Sequence, residues 1–397
     1  MACYVRFLES FMKILFVTQY NLFDPNAGGP VFKLRSLSNY LTDLGHNVTV
    51  ITVNADYEFL KKESDFLSEL NNEVKIVSLR SICRFRSVTI NPGIFSAAWK
   101  EIKRADVVHI FGLYDLLGPI VAFVAKMQHV PYLVEPLGMF VPIMRSFLIK
   151  RIYHFVFGTW LVDNASCVVV TSEQERQEII SERKQLGRII VRRNGIDLNE
   201  FDDLPERGMI RNQFGISPDE TMLLFLSRLS PKKNPELLIR AFAELHRQNL
   251  KLVFSGPDES GYQEELQILI KQLCVGDDIV FTGPLFGKDK VAALHDADIF
   301  VLPSNNENFG NVVAESVAIG TPVIISDRCG IAPFISDRVG LVISPTKINL
   351  VDAITYLLDD RELYLRFKKD CAKVSNDFSW NDPVSELEKV YISLTDA

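Results

Sequence analysis

Short apolar runs alternate with longer amphipathic stretches along most of the chain. An apolar run of about four to eight residues is typical of a buried strand, and a helix-length stretch between two such runs is typical of a parallel crossover. The pattern therefore predicts an α/β protein made of two doubly wound, Rossmann-like domains in series. The first series of strands is predicted at 14–18, 47–53, 74–79, 107–111, 131–135 and 167–171, and the second at 222–227, 252–255, 279–282, 299–302 and 322–326.

The length of 397 residues supports this division, because a single core rarely grows beyond about 250–300 residues. A polar stretch at 199–217 separates the two series of strands. We place an N-terminal domain at 1–205 and a C-terminal domain at 206–375. The remaining segment, 376–397, is amphipathic and is predicted to be helical. Residues 1–11 precede the first strand and are either a small extension or not part of the native protein.

Composition narrows the class of protein. Hydrophobic residues make up 47% of the chain and charged residues 23%, as expected for an ordered globular protein. The net charge of −7 argues against general nucleic-acid binding. The six cysteines are scattered without a Cys-x-x-Cys pair, which favours free thiols in a reducing, cytoplasmic setting. No apolar run reaches the roughly 18–20 residues that span a bilayer.

The candidate chemistry is concentrated around Glu307 and Glu315. Glu307 follows the predicted strand at 299–302, and open α/β sheets bind ligands at the carboxyl ends of their strands. Gly310 allows a ligand to approach the first turn of the next helix, where free N–H groups favour phosphate or sugar oxygens. Each carboxylate can accept hydrogen bonds from both hydroxyls of a vicinal diol. The pattern indicates a sugar or ribose site, and a chance pair of glutamates is the alternative.

Two further loops are suited to phosphate. Arg228 and Lys233 follow the first strand of the second domain and would neutralise a diphosphate, unless they are a solvated basic turn. Gly28 and Gly29 follow the first strand of the chain and allow close backbone approach to a ligand, unless they form a turn without one. This is not the Gly-x-Gly-x-x-Gly fingerprint, so a nicotinamide cofactor is disfavoured.

The sequence Asp296-Ala297-Asp298 has the form of a metal-binding Asp-x-Asp motif. It lies, however, where a predicted helix ends and a strand begins. We interpret it as a structural junction and predict no metal site.

The surroundings of Glu307 and Glu315, together with the Arg228–Lys233 loop, resemble the donor site of retaining glycosyltransferases of family 4. The resemblance covers most of the chain and includes Asn-Gly-Ile-Asp at 194–197, which in that family precedes the interdomain linker. It implies the GT-B fold, in which two Rossmann-like domains face an interdomain cleft. It also implies that the last helices cross back to pack on the N-terminal domain.

This resemblance implies roles for the donor residues. Arg228 and Lys233 would stabilise the departing diphosphate, Glu307 would contact the transferred sugar, and Glu315 would hold the ribose. Ser227 and Asn234 stand where the family has glycines. No metal and no cofactor are implied, because the nucleotide sugar is a substrate. The other implied donor contacts are Gly28, Gly29, Asn308, Phe309, Gly310, Asn311 and Val312.

The acceptor side is implied for the N-terminal domain, at two strand ends that resemble family segments. The residues concerned are His109, Tyr114, Glu135 and Gly138. His109 has the alternative of being a packing residue at a strand end. Leu137 departs from the family, which commonly has Arg or His at this position.

The predicted activity is therefore a hexosyltransferase-type reaction that is metal-independent and retains the anomeric configuration. The donor would be a UDP- or GDP-sugar, and the acceptor a glycan or lipid-linked molecule of surface polysaccharide biosynthesis. The alternatives are a nucleotide-sugar epimerase of the same fold and a non-catalytic nucleotide-sugar-binding protein. Basic and aromatic residues interleave at 144–193, which suits either a peripheral membrane contact at the inner face or a core helix with a charged outer side.

Overall fold

The computed structural model describes residues 11–22, 29–54, 70–85, 88–140, 151–183 and 187–396, and the chain divides into two compact units. Unit 1 comprises Met1–Arg193 and Trp380–Ala397, and unit 2 comprises Asn194–Ser379. The sequence analysis had placed these boundaries after residues 205 and 375. The boundaries differ because Ile196 and Phe201 at one end, and Phe378 at the other, are buried in the core of unit 2.

Unit 1 is built on a seven-stranded parallel sheet with the order β3-β2-β1-β6-β7-β8-β9. Its central strands are buried along their whole length because helices cover both faces of the sheet. The small strands β4 and β5 form a separate antiparallel hairpin. The strands are β1 (Lys13–Thr18), β2 (Asn47–Asn54), β3 (Lys75–Arg80), β4 (Cys83–Phe85), β5 (Val88–Ile90), β6 (Val107–Phe111), β7 (Tyr132–Glu135), β8 (Cys167–Val170) and β9 (Arg188–Val191).

The helices of unit 1 cover the sheet from two sides. On one side α2, α3, α4 and α5 share a hydrophobic core, and on the other side α1 packs against β1 and β2. The bounds are α1 (Gly29–Asp43), α2 (Ile94–Ile102), α3 (Leu117–Met127), a π-helical turn (His154–Gly158), α4 (Thr159–Asp163) and α5 (Glu173–Glu182).

Unit 2 repeats the architecture with a six-stranded parallel sheet in the order β12-β11-β10-β13-β14-β15. The two parallel sheets confirm the predicted class of two doubly wound α/β domains. The strands are β10 (Thr221–Leu226), β11 (Leu250–Ser255), β12 (Ile279–Gly283), β13 (Ile299–Leu302), β14 (Val323–Ser326) and β15 (Gly340–Ile343). The helices are α6 (Met209–Gln213), α7 (Pro235–Leu245), α8 (Tyr262–Leu273), α9 (Gly287–Asp296), α10 (Asn311–Ile319), α11 (Ala332–Ile335), α12 (Lys347–Asp359) and α13 (Arg361–Val374), with short 3-10 turns at Leu198–Phe201, Gly276–Asp278 and Ser375–Phe378.

The chain returns to unit 1 through a final helix, α14 (Asn381–Thr395). Its buried face, which includes Leu387 and Tyr391, completes the core that α1 forms with β1 and β2. Trp380, just before this helix, is 1% exposed and belongs to the same core. Within the described part of the chain, no helix has the length and apolar character needed to cross a membrane.

Candidate functional site

The loops that carry the predicted donor residues lie at the carboxyl edge of the unit 2 sheet. One follows β10 and carries Arg228 and Lys233, and the other follows β13 and carries Glu307. β10 and β13 are neighbouring strands, with Leu223 opposite Ile299, so the two loops leave the sheet side by side. This edge of an open α/β sheet is where ligands commonly bind.

Hydrogen bonds join these two loops. The Asn305 backbone N–H donates to the Lys232 carbonyl at 2.9 Å, and the Asn305 side-chain amide donates to the Pro231 carbonyl at 3.2 Å. Lys233 and Glu307 form an ion pair in which the side chains are only 17% and 16% exposed. The predicted cation for a diphosphate and the predicted carboxylate for a sugar are therefore in direct contact.

The backbone around Glu307 is held by the segment that follows β14. The Glu307 N–H donates to the Arg328 carbonyl at 2.9 Å, and the Gly330 N–H donates to the Glu307 carbonyl at 3.0 Å. Phe309 is 1% exposed and lies in the core of unit 2, and its carbonyl accepts from the Ile331 N–H at 2.9 Å. The Phe309 side chain thus anchors this loop to the core of unit 2, and the Phe309 backbone contacts the loop after β14.

Gly310 cannot be replaced without strain. Its φ is +105°, a conformation that side chains rarely adopt, and an added Cβ would lie 3.3 Å from Ile331 and from Val313. This turn directs the chain from the Glu307 loop into α10, which begins at Asn311. The predicted reason for a glycine here, close approach at the start of a helix, is compatible with this geometry.

The other predicted donor residues of this segment are partly exposed. They are Asn308, Asn311 and Val312. The Asn311 side-chain oxygen accepts a hydrogen bond from the Asn194 amide at 3.1 Å, within unit 2. Val312 packs partly against the hydrophobic core.

Glu315, one turn into α10, forms an ion pair that sequence analysis missed. The Lys290 Nζ lies 2.9 Å from the Glu315 Oε2, with side chains 20% and 14% exposed. Burial opposes the charge of Lys290, but the carboxylates of Glu315 and Glu200 together outweigh burial and raise the lysine pKa above its usual value. No sequence spacing links residues 290 and 315, because they are brought together only by the packing of α9 against α10.

The Arg228 loop rests on the loop after β11. Arg228 is 59% exposed, with Glu259 at 3.9 Å as an exposed neighbour. Gly256, at φ +142°, allows this close approach, because an added Cβ would lie 2.0 Å from the Ser227 carbonyl oxygen. Asn234 adopts the left-handed conformation, with φ +57°. Asn is among the few residues that tolerate it, which explains how this position works without the family's glycine.

In unit 1, the predicted donor loop is only partly described. Gly28 lies outside the described residues. Gly29 is the exposed first residue of α1, and an added Cβ would meet no atom within 4 Å.

A fully buried polar cluster lies at the carboxyl ends of β6 and β7. Arg192 donates to both carboxylate oxygens of Glu135, at 3.0 and 2.8 Å, and Lys33 contacts the same carboxylate. The His109 Nδ1 lies 2.7 Å from the Tyr391 hydroxyl of α14. These five side chains are at most 2% exposed. His109 and Glu135 therefore contact protein groups in the interior, which favours the packing alternative for His109.

The charges of this cluster follow from its burial. Burial alone would raise the Glu135 pKa, but Arg192 and Lys33 hold that pKa at about 2. Burial lowers the pKa of His109 to about 3 and that of Lys33 to about 8. Glu135 is thus an anion at neutral pH and His109 is uncharged.

The remaining predicted acceptor residues are partly exposed. Tyr114 has the uncommon φ of +66°, and its hydroxyl lies 2.8 Å from the His154 Nε2. The Gly138 N–H donates to the Glu175 carboxylate at 2.5 Å. Leu137, the departure from the family pattern, also has a positive φ, +59°. Strained conformations of this kind often occur at functional sites, and here two follow neighbouring strands.

The Asp-x-Asp sequence is engaged in structural hydrogen bonds. Asp296 accepts from the Ile210 and Arg211 backbone N–H groups at 2.7 and 3.1 Å. Asp298 pairs with the Arg211 side chain at 2.7 Å and accepts from the Met222 N–H at 2.8 Å. Both carboxylates tie α6 to the start of β10 and β13. Among the residues with described positions, no group of His, Cys, Asp or Glu is arranged to hold a metal ion.

Unit 2 therefore presents three cations (Arg228, Lys233 and Lys290) and two carboxylates (Glu307 and Glu315) on the loops and helices that follow its strands. Lys and Arg side chains suit a diphosphate, and carboxylates suit the hydroxyls of sugars. Such a set can bind a sugar nucleotide and stabilise negative charge as the sugar departs.

Comparisons with known proteins cover both units. Residues 27–200 match the family profile described as Glycosyltransferase Family 4, and residues 206–374 match the one described as Glycosyl transferases group 1. A D-inositol 3-phosphate glycosyltransferase of Corynebacterium efficiens is 32% identical over 250 residues, 60% of this chain and 58% of that protein. D-inositol 3-phosphate glycosyltransferase 2 of Catenulispora acidiphila is 28% identical over 76% of this chain and 75% of that protein.

The similarity to solved structures is high in fold but low in sequence. Anabaena HepE in complex with UDP and glucose has a TM-score of 0.76 at 19% identity, covering 96% of this chain and 100% of HepE. A glycosyltransferase from Rickettsia africae has a TM-score of 0.74 at 19% identity, covering 97% and 99%. At these identities the likeness establishes the shared fold alone.

Proposed function

We propose that this chain, which belongs to the family 4 glycosyltransferases and has the GT-B fold, transfers a sugar from a nucleoside-diphosphate sugar to an acceptor hydroxyl. The observation that carries the proposal is the Lys233–Glu307 contact at the carboxyl edge of β10 and β13. Cleavage of the bond between sugar and diphosphate leaves negative charge on the diphosphate, which Lys233 and the exposed Arg228 are suited to neutralise.

Unit 2 binds the donor in this proposal. Glu307 accepts hydrogen bonds from the transferred sugar, and Glu315 accepts them from the ribose hydroxyls. When the donor is bound, Lys233 shares its charge between Glu307 and the diphosphate. UDP is the favoured nucleotide, because HepE is known in complex with UDP and with UDP-glucose.

The reaction retains the anomeric configuration and needs no metal ion. Support for metal independence comes from Arg228 and Lys233, which supply the positive charge that a metal would otherwise bring, and from Asp296 and Asp298, which are engaged by backbone and arginine groups. Treatment with EDTA should leave the transfer rate unchanged. A rate that requires added Mg²⁺ or Mn²⁺ would contradict this part, and NMR of the product's anomeric signal checks retention.

The first experiment is a thermal-shift screen against UDP, GDP and their sugars, followed by a transfer assay with the donor that binds. A ligand of the folded state raises the melting temperature. Glu307→Gln and Glu315→Gln should reduce the shift, whereas Glu265→Gln, an exposed glutamate on α8, should leave it unchanged. If no nucleotide stabilises the folded protein, the donor site is wrong. Conversion of the donor without an acceptor would indicate the epimerase.

The acceptor is a lipid-linked or membrane-bound glycan in this proposal, because unit 1 exposes an apolar surface. Phe95 and Trp99 on α2 are 48% and 43% exposed, with rings stacked 6.0 Å apart, and Phe123 and Met127 on α3 are 51% and 49% exposed. A hydrogen bond from the Gln128 amide to the Trp99 carbonyl at 3.0 Å joins the two helices. We call these four apolar side chains the α2–α3 face.

Exposed basic residues lie on the same helices as the α2–α3 face or directly after them. Lys100, Lys103, Arg104 and Lys126 are exposed, and Glu101, the one acidic residue of these two helices, is 6% exposed. Aromatic side chains flanked by cations are suited to the surface of an anionic bilayer. In the basic and aromatic segment at 144–193, Phe155 is 87% exposed, and residues 144–150 and 184–186 lie outside the described ones.

Vesicle cosedimentation tests this acceptor class. Phosphatidylcholine vesicles that contain phosphatidylglycerol should bind the protein, and a Phe95→Ser, Trp99→Ser variant should bind at least about tenfold more weakly. Ile268→Ser with Leu365→Ser removes apolar groups of similar exposure from unit 2 and serves as the control. Equal binding by all three proteins would contradict a membrane-bound acceptor. The acceptor to assay next would then be D-inositol 3-phosphate, which appears in the names of the related glycosyltransferases.

A further inference from the structure

Glu315 has a partner whose position suggests a function beyond stability. Lys290 lies on α9 and Glu315 on α10, and their Nζ and Oε2 atoms are 2.9 Å apart. Both helices follow strands of the same sheet and contact each other. The residues beside Lys290, Val291 and Ala292, are 7% and 0% exposed, so the backbone that carries the lysine is fixed by the core.

We infer that Lys290 is a positioning residue that holds the Glu315 carboxylate in the orientation needed to bind the ribose of a sugar nucleotide. This inference rests on the proposed function of Glu315. It adds a residue that neither the sequence motif nor the comparisons with known proteins identify.

Geometry gives the first argument. A carboxylate on a three-bond side chain can rotate, and each rotamer fixed on binding has an entropic cost. An ion pair to one oxygen removes part of this freedom before the ligand arrives. The Oε2 that faces Lys290 is buried, so the ribose hydroxyls would bind to the lone pairs of the other oxygen, Oε1.

Electrostatics gives the second argument. Glu315 is only 14% exposed, and an isolated carboxylate at that depth is poorly solvated. Lys290 supplies the opposite charge, and Glu200 adds to the negative potential that keeps the lysine protonated. The pair thus places a positive charge beside the carboxylate, and hydrogen bonds to a charged acceptor are stronger than those to a neutral one.

The test compares nucleotides that differ only in the ribose. Dissociation constants for UDP and 2′-deoxy-UDP, with GDP and 2′-deoxy-GDP in parallel, are measured by calorimetry for the full chain. The wild type should prefer the ribonucleotide by about tenfold, because the missing hydroxyl loses a bond to a charged acceptor. Lys290→Met should reduce this preference to less than about threefold, and Lys290→Arg, which keeps the charge, should restore most of it.

A matched control separates positioning from a general loss of charge. Lys288→Met removes an exposed lysine from the same helix and should leave the preference unchanged. Melting temperatures of all variants show that they are folded. If Lys290 instead binds the diphosphate, Lys290→Met will weaken both nucleotides equally and the preference will persist, which overturns the inference.

Failure of the inference and failure of the proposed function give different results. If Glu315→Gln abolishes the ribose preference but Lys290→Met does not, Glu315 keeps its role and Lys290 loses its own. If the wild type shows no ribose preference, or binds neither nucleotide, the role of Glu315 is wrong and the inference falls with it.

Discussion

At the scale of single residues, Glu135 is the centre of the buried ion-pair cluster of unit 1. Its carboxylate is fully buried and balances two buried cations, Arg192 and Lys33. Removing one member of such a cluster leaves an uncompensated charge in the interior, which costs far more than the loss of a surface ion pair. The cluster therefore fixes the ends of β6 and β7, where Tyr114 and Gly138 begin the proposed acceptor loops.

Glu135→Gln should destabilise the protein by about 3–5 kcal/mol. The amide keeps the shape of the side chain but removes the counter-charge of Arg192 and Lys33. Urea unfolding at neutral pH measures the effect. Glu182→Gln, an exposed change on α5, should shift stability by less than about 0.5 kcal/mol.

The same variant should recover stability as the pH rises. Lys33 already has a folded-state pKa of about 8, below its usual 10.5, and loss of the Glu135 charge lowers this pKa further. In the variant Lys33 loses its proton at a lower pH than in the wild type, so between the two folded-state pKa values the free energy of unfolding rises with pH in the variant but not in the wild type. Above about pH 8 both folded proteins have lost this proton and their slopes are equal, so the deficit against wild type should shrink between about pH 6 and pH 9. A deficit that stays constant over this range would show that Lys33 is not the group left unbalanced.

Single residues also mark where sequence reasoning stops. Glu307, Arg228 and Lys233 could be proposed from the sequence because each follows a recognisable strand, and Glu315 because it lies on the helix after such a loop. Lys290 was missed, and the burial of Glu135 was not foreseen, because both depend on partners distant in sequence. Burial of a charged side chain has no local signature when its counter-charges lie on other elements.

At the scale of elements, the strands were predicted well because helices cover both faces of each sheet. β6 and β13 match the predicted bounds, and the other predicted strands differ by two residues or fewer. The missed strands are short or lie at an edge. β9 and β15 are the last strands of their sheets and have partly exposed side chains, so they lack a continuous buried run. The β4–β5 hairpin has only three residues in each strand.

The turn between β11 and α8 offers a test of loop packing. Gly256→Ala should weaken nucleotide binding and lower the melting temperature, because its Cβ would meet the Ser227 carbonyl next to Arg228. Gly261→Ala is the control, since Gly261 also has a positive φ, +83°, but an added Cβ would meet nothing within 4 Å. In the control, the free energy of unfolding should fall only by the roughly 1–2 kcal/mol that a left-handed alanine costs, and the affinity for the nucleotide should not change. Equal affinity in the two variants would mean that the Arg228 loop does not depend on this contact.

At the scale of the whole molecule, the separate hydrophobic cores of unit 1 and unit 2 explain why the division into two units could be predicted while its boundaries could not. Composition places a linker where polar residues accumulate, at 199–217. In the folded protein, however, a residue belongs to the unit whose hydrophobic core contains its side chain. The Ile196 N–H donates to the Phe378 carbonyl at 2.8 Å, which ties both ends of unit 2 together before the chain returns to unit 1.

Paired core substitutions should affect the two units separately. Leu387→Ala, on α14, should destabilise unit 1, and Leu357→Ala, on α12, should destabilise unit 2, each by about 2–5 kcal/mol. Hydrogen exchange resolves the two effects, with β1 and β10 as reporters. Binding of UDP should slow exchange in β10 more than in β1, because the proposed donor site lies in unit 2. Faster exchange of β10 in Leu387→Ala, to the extent seen in Leu357→Ala, would contradict separate cores.

The return of α14 to unit 1 also has a consequence for biosynthesis. Unit 2 is continuous in sequence and can fold as soon as it leaves the ribosome, whereas the core of unit 1 lacks Trp380, Leu387 and Tyr391 until translation has passed residue 391. While unit 2 is being synthesised, nascent unit 1 cannot complete its fold, and the apolar surface of α1, β1 and β2 that α14 later covers stays exposed. Surfaces of this kind promote aggregation and are bound by chaperones, so the order of synthesis makes the earlier part of the chain the later one to mature.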